Sequence, residues 1–279
     1  MSGPGRHEDA ALTAMRRASA ARARAARDLR AAERNERIDD GRLDTSVYAE
    51  TAAAHRRSAA CHLAAARLHL SFAGKLLDSS GGAAVRPHFM AEVADLFGTS
   101  SAALTLIGTD LSQLSFAASD PRARAAQDLE YILGDGPVKA VTGSGTTTSA
   151  AGSELEVRWP GYGAGLAALG VHEVVAVPLR SAGHCLGALS VYDPLTPAGR
   201  YDEVAAALTN LLLGADADPE LYGGLDHQDV VHQATGMVAE QQGCTVNDAL
   251  SIIKARAFAD GESVRLVAER IVHGKMRLG

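Results

Sequence analysis

The chain has 279 residues, of which 47% are hydrophobic, 22% charged and only 4% aromatic, with a formal net charge of −6 and a pI near 5.9. This is the composition of a globular protein, and the whole-chain charge does not announce nucleic acid. Cys61, Cys185 and Cys244 share no CxxC spacing, which argues against a disulfide framework or a cysteine zinc site; no apolar run approaches the ~20 residues that span a bilayer, and the first ten residues lack the apolar core of a signal peptide, so a cytoplasmic protein with no membrane partner is expected.

Charge is unevenly spread. The first eighty residues are rich in arginine, the middle is acidic, and the stretch from Lys254 onward turns basic again. Alanine and arginine dominate Ala10 to Ile38, a helical composition, which Asp39-Asp40-Gly41 breaks as a turn. A second helical run follows from Thr45 to Leu77. Leu63, Leu70 and Leu77 lie seven apart, as do Ala59, Ala66 and Ala73, and the two sets together read as the a and d positions of a seam. Residues 1–80 are therefore expected to form a helical hairpin, a dimeric coiled coil, or both. His55, His62 and His69 share the same period, which puts their rings about 10 Å apart along a helix, so they read as solvated residues beside the seam and not as metal ligands.

Ser79-Ser80-Gly81-Gly82 reads as a linker, after which the texture becomes mixed. Phe89 to Phe97 is a helix with Phe89, Val93 and Phe97 on one face. Ala102 to Ile107 is a strand and Leu111 to Ala118 its hairpin partner. Arg122 to Leu133 is helical, Asp135-Gly136-Pro137 turns the chain, and Val138 to Val141 begins a short helix. Gly161 to Leu169 is a glycine-alanine helix or loop. Val174 to Leu179 and Cys185 to Tyr192 are strands joined by Ser181-Ala182-Gly183, and a helix from Tyr201 to Leu213 closes the region. Strands, helices, strands and helix in that order describe an α+β domain with an antiparallel sheet.

Two fragments here resemble a GAF domain: Leu133-Gly134-Asp135-Gly136-Pro137, similar to a turn that precedes a short helix over a ligand pocket, and Val177-Pro178-Leu179 with Leu186-Gly187-Ala188-Leu189 and Val191-Tyr192-Asp193, similar to the domain's final strand pair. The resemblance places a sensor domain over residues 81–213 and implies a small-molecule ligand, for which Tyr131, Trp159, Tyr162 and His172 are the candidate pocket residues. It names no cofactor. Gly187 is expected to let a neighbouring group approach the strand closely, and Cys185 to act as a small buried hydrophobe.

Residues 214–226 form an acidic, turn-rich linker with Asp216, Asp218 and Glu220. The last region, residues 227–279, reads as a three-helix bundle. Its first helix spans Gln228 to Gln241 with Val231, Ala234 and Val238 inward. Gly243 ends it, and Thr245 caps a second helix three residues before Asp248. Val246, Ala249, Leu250, Ile253 and Ala257 make that helix's inner face. Gly261 stops it, and Ser263 caps a third helix with Val264, Val267, Ala268 and Ile271 inward. Gln233-Ala234-Thr235-Gly236, Asp248-Ala249-Leu250 with Ile253, and Leu266-Val267-Ala268 with Ile271-Val272 resemble an ANTAR domain. The departure is Thr235, where the family pattern carries lysine.

That resemblance implies binding of RNA hairpins in nascent transcripts and transcription antitermination, with a homodimer suited to a two-hairpin target. Lys254, Arg256, Phe258, Arg265, Arg270 and Lys275 are the candidate RNA contacts, the cations for the backbone and the ring for an unpaired base. Opposing charges at Asp260, Glu262 and Glu269 leave a second reading, in which the helices dimerise or dock a partner. GxSxG, P-loop and HExxH patterns are absent, Gly143-Ser144-Gly145 is followed by no phosphate-binding lysine, and no receiver-type aspartate is evident. Neither a catalytic residue nor a metal ligand is nominated, and an enzyme is not expected.

Overall fold

The computed structural model describes residues 4–38, 46–78, 89–108, 113–195, 200–213, 226–227 and 229–278. The expected turn at 39–41, the linker at 79–82 and residues 214–225 of the acidic linker lie outside these. Two long helices, α1 (Pro4–Ile38) and α2 (Ser46–Asp78), come first. A mixed region follows: α3 (Phe89–Leu96), β1 (Ala102–Ile107), β2 (Gln113–Ala118), α4 (Pro121–Leu133), α5 (Pro137–Ser144), β3 (Thr148–Ala151), α6 (Ser153–Arg158), α7 (Tyr162–Ala168), β4 (Glu173–Ser181), β5 (His184–Tyr192) and α8 (Tyr201–Leu213). The short strand β6 (Asp226–His227) leads into α9 (Asp229–Gln242), α10 (Val246–Asp260) and α11 (Val264–Val272).

Helices α1 and α2 pack against each other as an antiparallel hairpin, with Arg56 donating to both carboxylate oxygens of Glu36 at 2.6 and 2.7 Å. The seam is almost pure alanine. Ala11, Ala14, Ala18, Ala21, Ala25 and Ala32 of α1 are at most 5% exposed, and Ala52, Ala59, Ala66 and Ala73 of α2 at most 2%. The three-and-four spacing on α1 keeps one stripe inward over five turns. The expected leucine half of the seam is not there: Leu63 and Leu77 are 36% and 43% exposed and Leu70 is half-buried. The physical reason is a second neighbour. Leu68, Phe72 and Leu76 of α2 are turned into the mixed region against Phe89, Val93 and Phe97, which rotates the leucine stripe outward.

The histidine stripe also splits. His69 is buried beside Phe89, whereas His55 Nδ1 and His62 Nε2 lie 3.4 and 3.6 Å from the Asp28 carboxylate on α1. Ser58 Oγ donates to the same carboxylate at 2.7 Å.

The sheet is antiparallel throughout, in the order β3-β4-β5-β1-β2-β6. Alternation along each strand sorts its residues onto two faces. Ala102, Leu104, Val175, Val177, Leu179, Leu189 and Val191 face α2, α3 and α8. Ala103, Val174, Ala176, Ala188 and Tyr192 face the layer formed by α4, α5, α6 and α7. Strand β3 and helix α6 were not anticipated, because Thr148–Ala151 is a run of small residues without alternation. Pro178 sits in β4 opposite Ala188 but beyond the last β3 pair at Ala176, so its missing N–H falls past the end of that neighbour. Gly187 makes the close approach expected of it: a Cβ there would lie 1.9 Å from the Thr105 carbonyl oxygen.

One buried ion pair ties α2 to α3. Glu92 is fully buried, accepts from Ser71, and lies 2.9 Å from Lys75 Nζ, which also pairs with Asp95. Removing Lys75 strands a charge away from water. Lys75→Ala is expected to lower the unfolding free energy by about 2–3 kcal/mol in denaturant titrations, and Glu92→Gln in that background to recover part of the loss. Equal stability of Lys75→Ala and the parent would show that the carboxylate needs no counter-charge.

Candidate sensor site and nucleic-acid interface

Helix α4 organises the sensor side. Asp120 caps its N-terminus, accepting from the Ala123 N–H at 2.7 Å, and Gly134 ends it in the left-handed region with φ 68°. The inward stripe of α4 is Ala123, Ala126, Gln127 and Glu130, so two polar side chains sit on an otherwise apolar face. Gln127 is held from both directions: Thr105 Oγ1 donates to its Oε1, and its Nε2 donates to the Tyr192 hydroxyl at 2.9 Å.

Glu130 reaches across the turn to the start of α5. Its Oε1 accepts from the backbone N–H groups of Val138 at 2.7 Å and Lys139 at 3.1 Å, two donors that the first turn of a helix leaves without intrahelical partners. Gly136 is what makes room, since a Cβ there would lie 2.5 Å from the Glu130 carboxyl carbon. The turn resembling the GAF pattern thus has a packing reason for its second glycine. Glu130 Oε2 is buried and, among the described residues, has no hydrogen-bond partner. Burial pushes this carboxyl up to about 8, against the lowering effect of the two N–H donors, and the nearby Asp135 pushes in the same direction as burial.

The four nominated sensor residues do not converge. Trp159 and Tyr162 are buried together in the core over the sheet, as an edge-to-face pair with centroids 6.3 Å apart. Burial raises the Tyr162 hydroxyl well above its usual value, with Tyr192 and Glu130 adding to the effect. His172 is exposed, with its backbone N–H bonded to Asp193 Oδ1 at 2.8 Å. Tyr131 alone of the four lines a cavity of about 220 Å³, in the company of Glu130, Gln113 and Lys139, none of which had been nominated. Cys185, expected inside the strand as a small hydrophobe, is half-buried.

The C-terminal helices close one core of their own. Val231, Ala234, Val238, Ala249, Ile253, Ala257, Val264, Val267, Ala268 and Ile271 are all at most 2% exposed. The caps are the expected ones: Thr245 accepts from the Asp248 N–H and Ser263 from the Leu266 N–H, each at 3.2 Å, and Gly261 is left-handed at φ 65°. Val246 differs from expectation. At the first position of α10 it has no helix across from it and is 62% exposed.

The nominated RNA contacts divide into two groups. Arg256 pairs with Asp260 at 2.7 Å, Arg265 with Glu269 at 2.8 Å, and Arg270 with both Asp260 and Glu262. Lys275 is exposed and, among the described residues, makes no ion pair. Lys254 and Phe258 instead follow Leu250 at four-residue spacing on the stripe of α10 that meets the sensor. Lys254 Nζ donates to the Tyr131 carbonyl and lies 3.9 Å from the centre of the Tyr131 ring, and burial lowers its pKa. Phe258, 61% exposed, borders a second cavity of about 310 Å³ together with Leu129 and Ile132 of α4.

Glu130 also sets a pH dependence. Folded, it keeps its proton to about 8; unfolded, it releases it near 4.5. The folded state therefore binds more protons between these limits, and the associated stability, complete below 4.5, is lost as pH rises through about 8. Glu130→Gln mimics the neutral acid and removes this slope. Melting temperatures of the two proteins should diverge from pH 5 to pH 9 in favour of the variant; parallel curves would mean that Glu130 is ionised in the fold.

A family model described as GAF domain matches residues 87–212, and one described as ANTAR domain matches residues 220–272. No curated protein matches the chain. The first match covers strands β1 to β5 with α4, α5 and their turn, and the second covers β6 and the three C-terminal helices. These are sensor and regulatory RNA-binding types of domain and not catalytic families. With its sheet region matched to the one and its last helices to the other, the chain is a GAF and ANTAR domain-containing protein.

Proposed function

We propose that this protein is a signal-responsive regulator of transcription antitermination, in which the central domain senses a small molecule and controls RNA binding by the C-terminal helices. The observation that carries this reading is the physical contact between the two: α10 lays Leu250, Lys254 and Phe258 toward α4, so two candidate RNA contacts are turned toward the sensor. A helix shared in this way can answer the sensor only by leaving it or staying. The RNA targets are hairpins in nascent transcripts. The protein acts as a cytoplasmic homodimer, and the outward stripe of exposed Leu63 and Leu77 with half-buried Leu70 supports self-association. Among the described residues no helix is long and apolar enough to cross a membrane.

Arg256, Arg265 and Lys275 hold the RNA backbone, Arg270 exchanges its carboxylates for phosphate, and Phe258 stacks on a base once released. The internal pairing of the arginines favours the second reading, in which the helices dock a partner protein. Salt separates the two, because phosphate contacts release counterions and protein docking does not to the same degree.

RNA co-purifying with the full chain should be enriched in leader transcripts bearing twin hairpins. Binding to such an RNA should fall about tenfold or more between 50 and 200 mM salt, and the double variant Arg256→Ala, Arg270→Ala should abolish retention. Phe258→Ala should weaken binding with helicity intact. Self-association insensitive to salt, with no RNA retained, would replace this function by partner docking.

A further inference from the structure

The cavity of about 220 Å³ has walls from both domains. The sensor supplies Gln113, Glu130 and Lys139, and α10 supplies Lys254. Its polar groups are unbalanced in kind. Thr142 Oγ1 is spent as a donor to the Val138 carbonyl at 2.8 Å, and Thr105 Oγ1 as a donor to Gln127. His232 of α9, which is exposed, adds an imidazole that can donate or accept; what else remains uncommitted, among the described residues, is a set of donors. Gln113 Nε2 is buried with no hydrogen-bond partner among the described residues. Glu130 Oε1 is occupied by two N–H groups, so the proton this carboxyl retains near neutral pH sits on Oε2, which is also buried without a partner. Lys254 uses one N–H on the Tyr131 carbonyl and has two more. Lys139 brings a second cation, its Nζ bonded to the Gly134 carbonyl at 2.7 Å. Asp135 stays exposed on the turn and is not part of the wall. The rest of the lining includes Ile107, Val138 and Leu250, which are apolar.

Donors and cations without an ionised acid among the described lining residues describe an anion site, and apolar walls around it describe the body that the anion must carry. We propose that this cavity binds a small organic acid, its carboxylate accepting from Gln113 and Glu130 on the sensor and from Lys254 on the C-terminal module. The volume lies below the ~300 Å³ at which drug-sized sites begin, so it takes a molecule of single-ring size and excludes nucleotides and tetrapyrroles. The assignment rests on the reading of the central domain as a sensor. It adds a direction: a ligand bonded to both walls binds the docked arrangement better than the separated one, so it holds α10 on α4 and lowers RNA affinity, and RNA lowers affinity for the acid by the same factor.

The test uses the full chain and three probes that share a ring and differ in charge: benzoate, benzamide and benzylamine. Hexanoate and phenylacetate extend the acid series. Calorimetric titration should show binding of at least one acid, at least tenfold tighter than benzamide, and none of benzylamine. Lys254→Met and Gln113→Leu, one on each wall, should each weaken that binding tenfold or more while their melting temperatures confirm folding. Benzylamine binding as tightly as any acid overturns the proposal, as does acid binding indifferent to both substitutions, or no acid binding at all. RNA retention is measured separately on the same samples. Loss of the RNA result with the acid site intact would sink the proposed function and leave this site standing, and the reverse result would do the opposite.

Discussion

Helix α4 is loaded on both faces, and the rest of the arrangement follows from that constraint. Its inner stripe must satisfy the sheet, and Gln127 and Glu130 do so by joining strand β1 to strand β5 and by capping α5. Its outer side carries Asp128, Tyr131 and Ile132 toward α10. A helix packed on one side alone can shift by repacking a few side chains. A helix packed on both sides passes any shift through, because interiors are dense and resist compression. Glu130 on the inner stripe and Tyr131 beside α10 are neighbours on one turn and line the same cavity.

Magnitudes separate the basic residues of the C-terminal helices. The Arg256 and Arg265 side chains are about half exposed, at 49% and 51%, and each is paired with a carboxylate four residues on. Pairs of this kind are worth roughly 0.3–0.5 kcal/mol, so a phosphate displaces them at little cost. Lys254 is bound more firmly. It is partly desolvated, donates to a carbonyl and lies over an aromatic face, an arrangement worth up to about 2 kcal/mol for the ring alone. On the proposed function, the arginines are the cations open to phosphate with α10 packed on α4, and Lys254 is the one held back by that contact.

Local patterns in the chain made much of the fold legible. The three C-terminal helices could be read because apolar residues recur at three and four and because Thr245, Gly261 and Ser263 mark the ends. Strands β4 and β5 could be read because a valine-rich run and an apolar run flank a turn. What could not be read is which body covers which face. The heptad of Leu63, Leu70 and Leu77 states a period, and only the mixed region, by claiming Leu68, Phe72 and Leu76, decides that the leucines turn outward. Lys254 looked like any other cation of the module for the same reason: nothing within α10 reveals Tyr131. Glu130 did leave a trace, as a lone acid on the apolar stripe of α4, four residues before the Gly134 cap. Reading Gln127 and Glu130 as intruders on that stripe would have found the buried network from sequence.

The alanine seam has a consequence for alignment. Two helices that present little but methyl groups to each other are degenerate: a slip by one heptad, about 10 Å, would set alanine on alanine again with similar contact. Asp28 is the tooth that removes this freedom. It sits on the seam side of α1 and engages Ser58, His55 and His62 together, and a slip of one heptad that set Ala65 in the place of Ser58 would cost it that hydrogen bond. A single polar residue in a low-relief interface has specified pairing in other helical assemblies at some expense of stability. Here, with the Arg56–Glu36 pair, it gives a low-relief seam a defined register.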